Sequence, residues 1–295
     1  MPGISPDKYF FCFFCITFKL YIKNSQGPIV LYHMEYLFYN DIGVFAFPLN
    51  LIGGLFLVSG IWILYHYYPE SSLVHRLTSM PVTLSICGLL ILFLVIEGIW
   101  ALQLFKTWIF ILLLLSLLII LGLVILKRLS FSSGRNSLFL LNHGGLWIIL
   151  ASALLGTPDR EEYKIIVPLG EKEYYAVDRQ GGLHPLPFTI RLDKFELEYY
   201  PETEAHIPKR FCSTITVENR SQTKQCSIEV NAPARFEGYT LYQDGYDTKA
   251  GSTSQYSILL VVRDPWIYPV YFGIFLLFAG AGGLMIYGPI KKTNL

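Results

Sequence analysis

The sequence predicts a membrane protein in two parts: an α-helical transmembrane bundle of about five spans and an all-β extracytoplasmic domain. Composition is the first ground. Of the 295 residues 53% are hydrophobic and 15% charged, with a mean hydropathy of +0.45, too apolar for an ordinary water-soluble domain. Patterning is the second. Five apolar segments approach the roughly 20 residues that a helix needs to cross a bilayer core. Residues 157–266, in contrast, are polar and alternate with period two.

Residues 1–44 form an N-terminal extension of open status. Its run "YFFCFFCITFKLYI" is apolar for only about 14 residues, short for a span, and lacks the small-residue cleavage site of a signal peptide. Met34 begins "MEYLFYNDIG", a second plausible start, so residues 1–33 read either as native chain or as translated upstream sequence. The spans follow at 45–66, 82–105, 108–126 and 138–156, with a fifth at 267–288. Little more than Lys106 and Thr107 separates the second from the third, which predicts a tight helical hairpin.

Basic residues in short connections set the orientation. Arg76 lies in the 67–81 loop, Lys127, Arg128 and Arg135 lie in 127–137, and Lys291 and Lys292 follow the last span. These connections and the 289–295 tail are therefore assigned to the cytoplasm. The polar domain and the segment before the first span are assigned to the opposite side.

Within 157–266, Phe188, Ile190 and Leu192 share one face of a strand, and Phe195, Leu197 and Tyr199 continue it after a shift of phase. Further strands are expected at 211–218, 225–231, 239–243 and 256–263, punctuated by Gly181–Gly182, Pro201, Pro233, Gly245 and Gly251. The region holds 17 acidic and 13 basic residues, a mildly negative balance. A hairpin around "NRSQTK" would set Glu218 opposite Gln225 and Val217 opposite Cys226. Cys212 would then sit roughly 17 Å along the strand from Cys226, outside disulfide reach, so free thiols are expected.

Several chemistries are excluded. There is no Walker loop, GxSxG elbow, HExxH or zinc-type His/Cys spacing, and a net charge of +1 gives no ground for a nucleic-acid partner. Cys12 and Cys15 form a CxxC, but without the strand-helix setting that lowers a thiol pKa. Two polar residues inside spans demand explanation. Glu97 lies near the outer end of the second span, where it is either a functional carboxyl or a hydrogen-bonding group near the interface. His143 lies in the fourth span, within "FLLNHGGLWIIL", after Asn142 and before Gly144 and Gly145. The imidazole is either an interhelical hydrogen-bonding strut or a metal or haem ligand. The glycines would admit a helix or a flat ligand beside it.

The segments "LPFTIRLDKFELEYYPE" (186–202), "SIEVNAPARFEGYTLYQDGYD" (227–247) and "SILLVVRDPWIYPVYFGIFLLFAG" (257–280) resemble the ResB/CcsB family of system II cytochrome c biogenesis. The similarity extends over about residues 82–288. It rests on Val230, Asn231 and Pro233; on Phe236, Gly238, Tyr239, Tyr242 and Gln243; and on Arg263, Asp264 and Pro265. The resemblance implies that His143 is an axial ligand of a haem b held within the membrane, with Asn142, Gly144 and Gly145 around it. It also implies a CcsA/ResC-like membrane partner supplying the second ligand, and apocytochrome c as the recipient. Phe236, Gly238, Tyr239, Tyr242, Gln243 and Tyr246 would form a partner surface. The chain departs from the family in having Ala232 where His is usual, and in its additional helix at 45–66. It also lacks the tryptophan-rich motif of the partner family. The rival expectation is a haem-free membrane scaffold that presents apocytochrome or assembles the synthase.

Overall fold

The computed structural model describes residues 45–100, 104, 107–129, 134–200 and 208–287. The CxxC at Cys12 and Cys15, Lys106 and the 289–295 tail lie outside the described residues. Helix α1 spans Leu49–Tyr67 and the short α2 spans Ser72–Leu77. They are followed by α3 (Met80–Trp100), α4 (Trp108–Leu129), α5 (Gly134–Gly156) and, beyond the β-domain, α6 (Ile267–Tyr287). Five of these helices, all but α2, are long and apolar enough to cross a membrane, which makes this a multi-pass membrane protein. In α2 the Ser71 hydroxyl accepts from the Val74 N–H at 3.2 Å, an N-cap that starts this helix in the loop between two spans.

The tightest helix pair is α5 with α6, and small residues make it so. A Cβ added to Gly145 would lie 2.5 Å from the Leu277 nitrogen and 2.6 Å from the Gly273 oxygen. A Cβ on Gly280 would strike the Asn142 backbone, and one on Gly283 the Leu138 side chain. Lipid tails give little solvent drive for helix association, so close backbone approach of this kind is what holds two spans together. Helix α1 packs Ile61 against Gly122 of α4, and Leu155 of α5 packs against Gly54.

Eight antiparallel strands form the β-domain: β1 (Glu161–Pro168), β2 (Lys172–Val177), β3 (Leu183–Tyr199), β4 (Pro208–Glu218), β5 (Thr223–Glu229), β6 (Ala234–Phe236), β7 (Tyr239–Tyr246) and β8 (Tyr256–Arg263). Their order is β5-β4-β3-β2-β1-β8-β7-β6, so the two edge strands are consecutive in the chain. The edges approach each other: the Lys224 ammonium donates to the Arg235 carbonyl at 3.2 Å, and Gln222 Nε2 to Glu237 Oε1 at 3.3 Å. The sheet is thereby a nearly closed barrel. Ile165, Val167, Phe188, Ile190, Leu192, Ile215, Val217, Ile228, Leu241, Leu259 and Val261 fill it.

The expected phase shift in β3 is a bulge. Leu192 pairs with Ile215 but Lys194 with Thr214, leaving Asp193 unpaired in the ladder. Its carboxylate accepts from Arg191 Nε (2.7 Å), Thr216 Oγ1 (2.5 Å) and Gln225 Nε2 (3.2 Å). The hairpin register differs from the sequence expectation by two residues: Glu218 faces Thr223, Val217 faces Lys224, and Cys226 faces Ile215. The cause is Asn219, whose side-chain oxygen accepts from the Ser221 and Gln222 N–H groups at 2.9 Å each and tightens the loop to four residues. Cys212 pairs with Glu229, on the outer face, whereas Cys226 packs against the core. The two thiols are on opposite sides of the sheet.

A polar clamp joins domain and bundle. Asp159, at the end of the 3-10 turn Thr157–Asp159, accepts from the Phe47 N–H at 2.7 Å through Oδ1. Through Oδ2 it accepts from Asn50 Nδ2 (2.6 Å) and Trp266 Nε1 (2.7 Å). One carboxylate thus ties the start of α1, the end of α5 and the start of α6. The segment entering α1 therefore lies on the same side of the bundle as the β-domain, as the charge pattern implies.

Candidate functional site

The site is built on α5, the helix that runs directly into the β-domain. Its faces have separate partners. Asn142 and Gly145 face α6, and Asn142 Nδ2 donates to the Leu277 carbonyl at 3.2 Å. Trp147 faces α4, where its indole N–H donates to the Leu118 carbonyl at 3.0 Å. His143 is half-buried, and a Cβ on neighbouring Gly144 would meet no atom within 4 Å. Of the two glycines, Gly145 therefore admits α6 and Gly144 faces open space.

The imidazole is oriented. His143 Nδ1 lies 3.1 Å from the Phe139 carbonyl, one turn earlier, and the Phe139 ring stacks on it with centroids 3.7 Å apart. A carbonyl oxygen only accepts, so Nδ1 carries the proton and Nε2 presents its lone pair. A ring nitrogen fixed by a backbone carbonyl, with the opposite nitrogen free, is the arrangement that suits a metal-ligating histidine. A metal-bearing ligand fits the half-buried imidazole on that ground. Among the described residues no group of three His, Cys, Asp or Glu side chains is gathered to hold a metal ion.

Glu97 sits at the hairpin between α3 and α4, where its Oε2 accepts from the Leu104 N–H at 2.8 Å. The carboxylate thus ties down the turn between two spans.

The residues predicted as a partner surface divide. Phe236 is 4% exposed and Gln243 6%, so both belong to the barrel core, which corrects their reading as surface. Phe236 and Tyr239 pack edge-on against Phe188 with centroids 5.3 and 5.2 Å away. Gln243 Nε2 donates to the Gly245 carbonyl (2.9 Å) and Ser257 Oγ (2.8 Å) inside the sheet. The aromatic-x-Gly-Tyr motif is turn chemistry: Phe236 pairs with Tyr239 across Glu237 (φ 48°) and Gly238 (φ 81°). Two consecutive positive φ values are what a two-residue hairpin demands, and glycine accepts one without strain. Tyr246 packs against Phe195 and Phe211, each with centroids 5.1 Å away, while Tyr242 is exposed. The Arg-Asp-Pro step is the hinge into α6. Arg263 pairs with Glu161 at 3.0 Å and lies 5.8 Å from the Tyr239 ring, and Asp264 Oδ1 accepts from the Trp266 N–H at 3.0 Å.

Sequence reasoning missed the outward apolar belt of the barrel. Ile166, Tyr175, Val177 and Leu183 are all exposed, and Val177 pairs with both Lys164 and Leu183 in the ladder. Alternation hides such a belt, because apolar residues on both faces of a strand blur the period.

Fold and site define a polytopic membrane protein whose last two spans bracket a nearly closed β-barrel and carry an oriented intramembrane histidine. In comparison with known families, residues 135–259 match the ResB-like family, in line with the resemblance read from the sequence. Among curated proteins the chain is 29% identical over 110 residues to "Cytochrome c biogenesis protein Ccs1" of Pyropia yezoensis, covering 36% of this chain and 24% of that protein. It is 33% identical over 122 residues to "Protein NrfI" of Wolinella succinogenes, covering 38% and 13%. The chain thus spans a quarter or less of the length of these relatives. A solved structure of "Cytochrome c Heme Lyase CcmF" aligns over 83% of this chain and 46% of its own, at 14% identity and a TM-score of 0.35, too low to carry the comparison further.

Proposed function

We propose that this chain is the ResB-like half of a cytochrome c synthase, acting in the membrane with a CcsA/ResC-like partner. Haem b is its cargo. His143 Nε2 is one axial ligand, the partner supplies the second, and the β-domain stands where haem vinyl groups join the reduced CxxCH thiols of apocytochrome c. The chain itself is a non-catalytic or co-catalytic subunit. Its membrane in this reading is the bacterial cytoplasmic membrane, and the distribution of Lys and Arg supports an orientation with the β-domain on the periplasmic or extracytoplasmic face. The observation that carries the proposal is the contact of His143 Nδ1 with the Phe139 carbonyl at 3.1 Å, which leaves Nε2 without a partner among the described residues. The names of the matched relatives, a cytochrome c biogenesis protein among them, support the same pathway. Co-expression with a CcsA-like partner tests it: the His143→Ala variant should lose co-purifying haem and cytochrome c maturation. Unchanged haem and maturation would refute the ligand role.

A haem-free scaffold is the second reading, favoured by the exposed belt at Ile166, Tyr175, Val177 and Leu183. It predicts that His143→Ala is harmless while charged residues at Ile166 and Leu183 abolish complex formation.

A further inference from the structure

At the inner ends of α4 and α5 lies a cation, Arg128, for which no counter-ion is found among the described residues. The loops at that end, 67–81 and 127–137, contain one acidic residue, Glu70, which pairs with His75 at 3.5 Å. Lys127 is engaged elsewhere, its ammonium donating to Thr78 Oγ1 at 3.1 Å. Arg128 is exposed, and among the described residues no carboxylate pairs with it. Its guanidinium carbon lies 5.0 Å from the centroid of the Phe139 ring, the same ring that stacks on His143. Asn136 Nδ2 donates to the Arg128 carbonyl at 2.8 Å and fixes this helix end against α5. One aromatic ring therefore separates an unpaired guanidinium at the membrane surface from the imidazole that lies deeper in the span.

We propose that Arg128 binds a propionate of the haem held at His143, an inference that rests on the haem reading above. Haem is apolar except for its iron and its two carboxylates. A site within a membrane must meet both demands: a neutral nitrogen at depth and a cation where the carboxylates reach the polar boundary. Guanidinium matches a carboxylate with two parallel N–H···O bonds, and its positive charge is not lost at any working pH. Phe139 would serve both members, as the surface on which Arg128 rests and as the ring that stacks on the imidazole. A lipid phosphate is the rival oxyanion for the same guanidinium, and the experiment must separate the two.

The chain, co-purified with a CcsA-like partner and reconstituted in phosphatidylcholine nanodiscs, is titrated with haem and with haem dimethyl ester, which lacks the carboxylates, and followed by its Soret band. Wild type should bind haem about tenfold more tightly than the ester. Arg128→Gln should remove that difference by weakening haem alone, and Arg128→Lys should restore part of it. His143→Ala should abolish the ligated spectrum with both porphyrins. If it does not, the haem reading itself fails. If His143→Ala does so but Arg128→Gln weakens both porphyrins equally, or neither, Arg128 does not bind propionate. Repeating the titration in phosphatidylglycerol nanodiscs tests the rival. A haem-versus-ester difference that survives Arg128→Gln, with loss only of anionic-lipid binding, would assign the site to lipid phosphate and overturn the proposal.

Discussion

The β-domain and the helical bundle are held together by different physics. In the barrel, Ile190, Leu192, Ile215 and Leu241 have no exposed surface, and apolar burial from water carries the fold. In α3, Leu84, Ile91 and Ile99 are each exposed by 60% or more, because lipid takes the place of a core. What fixes the bundle is backbone approach at glycines together with single hydrogen bonds: Asn142 to Leu277, Trp147 to Leu118, Asn50 to Asp159. One region tolerates no cavity and the other no added bulk.

That contrast can be broken from either side. Phe236→Ala, which empties a site between Phe188 and the hairpin turn, should cost the β-domain about 3–5 kcal/mol, read from the urea midpoint of its near-UV signal. The same substitution should leave helical content intact. Gly145→Ala places a methyl against the Leu277 nitrogen and the Gly273 carbonyl. It should destabilise the α5–α6 pair by about 1–3 kcal/mol, seen as a lower melting temperature in detergent. A β-domain spectrum unchanged in Gly145→Ala, below its own transition, would sharpen the distinction between the two regions.

Acid should separate them more mildly. The His184 hydrogen bond holds the Asp178 carboxyl below the usual range, followed by the Gly182 N–H. Burial pushes Asp193 up, but bonds from Thr216, Arg191 and Gln225 outweigh it and leave it lowered. Lys172 lowers Glu218 in the same way. A depressed carboxyl binds its proton less readily folded than unfolded. Its stabilisation is therefore fully present above the unfolded pKa, about 4, and is lost as pH falls through the lower folded value. The β-domain should lose stability below about pH 4, while helical content stays constant, and Asp193→Asn should flatten the curve. A melting temperature independent of pH between 7 and 3 would remove these pairs from the stability of the barrel.

The same contrast explains what could be read from the sequence. The spans were legible because a bilayer requires long apolar helices, and the strands because one buried face imposes alternation. The β3 bulge was visible as a change of phase at Asp193. Hairpin register was not, since Asn219 shortened the loop through its own side-chain bonds. The aromatic-Gly-Tyr step was recognisable as a motif, yet its role in a positive-φ turn, with Phe236 in the core, needed the backbone. At the site, His143 stood out as an imidazole in a span. Its proton position depended on a carbonyl four residues earlier, and the separate duties of Gly144 and Gly145 depended on a helix more than a hundred residues away. No periodicity reports which spans adjoin.

In the proposed function, His143 Nε2 ligates haem iron in this membrane bundle. The most direct test is His143→Gly, purified with a CcsA-like partner and examined by its Soret spectrum before and after addition of imidazole. Ligation predicts loss of the haem band in the variant and its return with free imidazole, which supplies the missing nitrogen beside Gly144. A band that persists in His143→Gly, or one that imidazole does not restore while the fold is intact, would contradict it.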